Sequence, residues 1–160
     1  MNYYQDIDKI SDFLYISNWE TSNNPYVLKK YNIKAILTIE TNNKPNDVLN
    51  YYKQNNIDYL FLYLNDLPSE NIKKYFDVSY EFIDKNIKKG NNVLVHCMAG
   101  ISRSSTLILN YLIRKYYEQN RYQNKCSECV LNYFLQALRT KRPIINPNTG
   151  FINQLKNYYN

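Results

Sequence analysis

Apolar residues fall in short blocks along the chain: Phe13–Ile16 (FLYI), Ala35–Ile39 (AILTI), Tyr59–Leu64 (YLFLYL) and Val93–His96 (VLVH). Runs of this length, several rich in β-branched or aromatic residues and bounded by polar stretches, predict buried strands. Between the last two blocks the period changes. Ile72, Tyr75, Phe76, Ser79, Phe82, Ile83 and Ile87 share one face at helical spacing and predict a helix over Asn71–Lys88. A shorter helix is expected over Pro25–Tyr31. Others are expected from Arg103 through Leu107, Ile108, Tyr111 and Leu112 to Lys115, over Cys129–Arg139 and over Thr149–Tyr158. Strands interleaved with helices indicate an α/β layer structure. No repeat, linker or composition break divides the chain, so residues 1–160 are expected to form one domain. The polar stretches Thr41–Asn46 and Glu118–Lys125 are the expected mobile loops.

Composition adds limits. At 160 residues the chain can bury roughly two-thirds of its unfolded surface around one core. The 25 Asn and 18 Tyr against 3 Gly read as genomic bias. A net charge of +6 favours anionic partners, but the basic residues are scattered as pairs such as Lys29-Lys30 and Lys73-Lys74. That is the pattern of a solvated surface, and no nucleic-acid partner is expected. Three cysteines cannot all pair within one chain, and MNYYQDIDKI lacks the basic and apolar regions of a secretory signal. An intracellular location, cytoplasmic or nuclear, is expected. No apolar run approaches the 18 residues that would span a bilayer, so no membrane association is expected.

The chemistry concentrates in Val93-Leu-Val-His-Cys-Met-Ala-Gly-Ile-Ser-Arg-Ser-Ser-Thr106, where a buried strand ends at His96-Cys97 and an apolar helix starts near Arg103. A loop between strand and helix gathers unpaired backbone N–H groups at a helix N-terminus, which favours an anion. The donors that hold a phosphate also hold a thiolate, which makes Cys97 a nucleophile. Arg103, six positions on, has a planar fork that binds two phosphoryl oxygens at once. Ser104 adds a hydroxyl beside the sulfur.

His-Cys, five residues, then Arg-Ser resembles the signature loop of the protein tyrosine phosphatase superfamily. HCMAGISRSS, with Ser102 where tyrosine-only enzymes usually carry Gly, is most similar to the dual-specificity branch. FLYIS near the start and RPIINPNTGFINQL near the end extend the likeness over about Ile10–Tyr158. The resemblance implies a central mixed sheet of about five strands flanked by helices. It also implies hydrolysis of phosphotyrosine and phosphoserine or phosphothreonine in proteins through a phosphocysteine, with no metal or cofactor. Cys97, Arg103, Asp66 and Ser104 are then the catalytic group, and Met98, Ala99, Gly100, Ile101 and Ser102 join Arg103 in binding phosphate. His96 is expected to point away and fix the loop by hydrogen bonding. Asn148 is expected to brace the loop with its side chain, with Phe151 and Leu155 packing the last helix. Met98, Ala99 and Ile101 stand where phosphoinositide phosphatases commonly place lysines, which favours phosphorylated protein substrates.

A leaving oxygen needs a proton, so a general acid is required on a mobile loop. Asp66 follows a strand and lies 31 residues before Cys97. Asp58 and Glu70 are the neighbouring competitors, and Glu70 is better suited to capping the helix near Asn71. Cys126 and Cys129 form a CxxC, a weak signal by itself, and Cys129 is expected to be buried.

Overall fold

The computed structural model describes residues 6–120 and 126–160. Five strands form one mixed sheet in the order β1-β2-β5-β3-β4: β1 Ile7–Ser11, β2 Leu14–Ser17, β3 Ile33–Glu40, β4 Asp58–Tyr63 and β5 Asn92–His96. β1 is antiparallel to β2, and every other pair is parallel. Helices α1 Trp19–Ser22, α2 Pro25–Lys30, α3 Asn46–Gln54, α4 Phe76–Lys88, α5 Arg103–Gln119, α6 Ser127–Lys141 and α7 Thr149–Tyr158 pack around the sheet, with a 3-10 turn over Ile72–Tyr75 before α4.

The period-2 alternation of a strand sends successive side chains to opposite faces, which divides the interior in two. Leu14, Ile16, Ala35, Leu37, Ile39, Val93 and Val95 join the larger core beneath α4–α7, while Ile36 and Leu94 join a smaller one with Val27, Leu28 and Tyr52 of α2 and α3. The two central parallel strands, covered on both faces, therefore read as unbroken apolar runs. Of the expected helical face, Ile72, Phe76, Ser79, Phe82 and Ile83 are buried and Tyr75 and Ile87 are half-buried.

Several expectations need correction. β1 escaped the sequence reading because IDKIS is an edge strand with only its first residue buried. α3 escaped because NDVLNYYKQ buries only Tyr52. Phe13, expected to begin a strand, lies in the β1–β2 turn at φ 66°. Thr41–Asn46 is pinned rather than loose: Lys44 is 3% exposed and donates to Ser22 Oγ and Asn23 Oδ1, each at 2.6 Å. In the other expected loop, Glu118 and Gln119 close α5, and residues 121–125 lie outside the described residues.

Candidate active site

Parallel strands open a crevice at their carboxyl ends where the chain's direction of winding reverses. Here β5 lies between β2 and β3, and the segments leaving β2, β3, β4 and β5 carry Trp19, Glu40, Asp66 and Cys97 to one end of the sheet. Asp58 is at the opposite end of β4, where it pairs with Lys85 at 2.9 Å, and takes no part. Glu70 accepts from Asn65 Nδ2 at 2.9 Å, and the 3-10 turn has no side-chain cap, so Glu70 is neither the helix cap nor part of the site.

Cys97 is buried at the foot of the loop, with Ser104 Oγ 3.2 Å from its Sγ. His96 faces away from the loop. Burial pushes its pKa well below the usual histidine range, and the Lys44 and Arg103 charges push the same way. The ring is therefore neutral. Its Nδ1 lies 3.2 Å from the Cys97 carbonyl, which can only accept, so Nδ1 carries the proton and Nε2 accepts from the Thr38 hydroxyl at 2.7 Å.

Arg103, at the first position of α5, is also buried. Its Nη1 donates to Glu40 Oε1 at 2.7 Å and to the Leu64 carbonyl at 2.9 Å, and Nη2 donates to Glu40 Oε2 at 2.9 Å. The described residues offer no hydrogen-bond partner to Nε. A guanidinium has five N–H groups, so Glu40 fixes one edge of the fork and leaves the Nε/Nη2 edge to receive two oxygens of an anion.

Asp66 sits beside that edge. Its Oδ1 accepts from Ser102 Oγ at 2.7 Å and from Asn148 Nδ2 at 2.8 Å, while Oδ2 lies 3.9 Å from Arg103 Nε. Gly150 lets this segment close down: a Cβ there would stand 1.9 Å from the Pro68 carbonyl oxygen. Asn148 thus differs from its expected role. Its side chain holds Asp66 and caps α7 through Phe151 N–H, and only its main-chain amide reaches the loop, donating to Ser102 Oγ at 3.1 Å.

The dual specificity phosphatase catalytic-domain family matches residues 14–160. The chain belongs to the dual specificity phosphatase family. It is 33% identical over 147 residues to the Arabidopsis thaliana protein named dual specificity protein phosphatase 1, covering 92% of this chain and 66% of that one. Among solved structures, DUSP15 superimposes with a TM-score of 0.80 at 29% identity, covering 96% of this chain and 87% of that one. The human tyrosine phosphatase-like serine/threonine/tyrosine-interacting protein does so with 0.77 at 30% identity, covering 97% and 96%. The chain spans 66%, 28% and 63% of the length of the first three curated relatives.

Within this family fold, three site residues were given no role in the sequence reading, although Arg142 heads the stretch RPIINPNTGFINQL. Glu40 closes β3 two residues beyond Thr38, which pairs with His96, so only strand register reveals that it faces Arg103. Trp19 donates its main-chain N–H to the Met98 carbonyl at 2.9 Å, and the ammonium of Lys44 lies 3.6 Å from its ring centroid. Burial lowers the Lys44 pKa to about 7 against the pull of Glu40, and the Trp19 face also opposes that shift. Arg142 reaches the back of the loop from the end of α6. Cys129, expected to be buried, is exposed, as is Cys126.

Proposed function

We propose that this chain hydrolyses phosphate monoesters on tyrosine and on serine or threonine side chains of proteins. The observation that carries the reading is the convergence of Cys97 Sγ, the Nε/Nη2 edge of Arg103 and Asp66 Oδ2 at one loop. Cys97 attacks phosphorus in line and the P–O bond to the substrate breaks, forming a phosphocysteine. Arg103 and the loop amides of Met98, Ala99, Gly100, Ile101 and Ser102 hold the equatorial oxygens. The leaving oxygen takes a proton from Asp66. Because Ser102 and Asn148 both donate to Oδ1, that proton resides on Oδ2, the oxygen on the Arg103 side. Water then attacks the phosphocysteine, Asp66 takes back a proton, and phosphate leaves while Ser104 donates to the departing thiolate. The apolar side chains of Met98, Ala99 and Ile101 support protein over phosphoinositide or RNA 5′-end substrates, and the free thiol of Cys97 suits the reducing interior of a cell.

A second reading is a phosphoprotein-binding module without turnover, favoured by the likeness to the phosphatase-like interacting protein. The deciding experiment offers phosphotyrosine and phosphothreonine peptides to the wild type and to Cys97→Ser in EDTA, with vanadate as competitor. Turnover of both peptides, abolished by Cys97→Ser and blocked by vanadate, is expected. A folded wild type that binds without turnover would establish the module instead.

A further inference from the structure

Five consecutive carbonyls of the phosphate loop each accept a hydrogen bond from outside it. Cys97 O takes His96 Nδ1, Met98 O takes the Trp19 amide, and Ile101 O takes the Asn146 amide at 3.0 Å. The two between them are held by one side chain: Arg142 Nη2 donates to Ala99 O at 3.0 Å and Nε to Gly100 O at 2.8 Å. No peptide bond among the described residues is cis, and in a trans peptide the C=O and the following N–H point in opposite directions. Each carbonyl drawn outward therefore turns the next amide inward. Arg142 aims the amides of Gly100 and Ile101.

We infer that Arg142, set by Asp6 and Asp8, is a positioning residue for phosphate transfer, holding those two amides against the anion from behind the loop. Asp6 stands immediately before β1 and Asp8 within it. Arg142 Nη1 donates to both carboxylates, to Asp8 at 2.8 Å, and Nη2 donates to Asp6 at 3.1 Å. Nε and the two terminal nitrogens thus supply all five N–H groups, and Arg142 is 2% exposed. Two carboxylates against one guanidinium keep it from turning toward a phosphate, so its role passes through the loop. The fit is close. Gly100 has φ +65°, and a Cβ there would stand 2.5 Å from Ser17 O and 2.8 Å from Arg142 Nη2. A lysine, one ammonium without the fork, cannot hold both carbonyls and both acids in this plane.

The inference rests on the loop being a phosphate site. Its readouts include vanadate affinity and iodoacetate alkylation of Cys97, neither of which needs turnover, so its failure and the failure of the phosphatase reading are distinguishable. With Arg142→Lys folded by circular dichroism, vanadate affinity is expected to fall about tenfold and alkylation to slow; kcat, where turnover is present, falls by about 10²-fold with KM little changed. Asp6→Asn with Asp8→Asn, which leaves the arginine in place, shifts the same readouts by less, and decides the matter if Arg142→Lys does not fold. A folded variant with lowered thermal stability but wild-type vanadate affinity and alkylation rate would show that Arg142 only supports the fold.

Discussion

Two buried arginines flank the phosphate loop, and they differ in how many of their donors the protein uses. Arg142 spends all five N–H groups on two carboxylates and two loop carbonyls. Arg103 spends three, on Glu40 and the Leu64 carbonyl, and its Nε has no hydrogen-bond partner among the described residues. A buried donor without a partner costs about 1–3 kcal/mol, a cost that a bound anion removes. The saturated arginine is thus a brace and the unsaturated one a binding edge, although both are charged, buried and paired with acid. Counting N–H groups separates the roles where burial and ion pairing do not.

Arg103→Lys should separate the two arginines by the widest margin. One ammonium cannot pair with Glu40 and also offer two oxygens a fork, so kcat on a phosphotyrosine peptide should fall on the order of 10³-fold. A fall no larger than that of Arg142→Lys would mean that the free edge is not where phosphate sits. Next in size is the contrast between the acids. Removing Glu40 leaves buried Arg103 with only the more distant Asp66, 3.9 Å from Nε, as counter-charge, so Glu40→Ala should lower the unfolding free energy in urea by about 3 kcal/mol. Asp8→Asn leaves Asp6 on Arg142, and Asp8 is partly exposed, so its cost should stay within about 1 kcal/mol.

A pH-dependent contrast belongs to the third cation buried among the described residues, Lys44, which has hydroxyl, amide and ring partners but no carboxylate bond. Its pKa is lowered to about 7 in the fold, against the ordinary lysine value of roughly 10.4 in the unfolded chain. Between those values the unfolded chain binds more protons. Stability therefore gains from this group as pH rises through that window, by up to about 1.4 kcal/mol per pH unit, and the burial penalty is fully present below it. Urea titrations at pH 7 and pH 9 should show that component absent in Lys44→Met.

The elements legible in the sequence were those whose pattern matched their environment. AILTI and VLVH announced central strands because both their faces are buried, and the strand-loop-helix around Cys97 was legible as a candidate site because its parts are consecutive. β1 and α3 were not legible, since each buries one residue among polar neighbours; β4, the other edge strand, also buries only one, so it is less buried than expected, but its apolar run made it legible. Asn148 was expected to brace the loop with its side chain, and the division of labour between its side chain and main chain was visible only once α7 was docked on Pro68.

The α/β class and the loop with its Cys97, Arg103 and Ser104 follow from local pattern, because strand period, turn and helix start act over a few neighbouring residues. What surrounds them depends on long-range packing. Glu40 meets Arg103 across 63 residues and Asp6 meets Arg142 across 136, and neither pairing has a local pattern. Each exists because strand register and helix packing carry distant charges into a low-dielectric interior, where an unpaired charge is costly and a partner must be found.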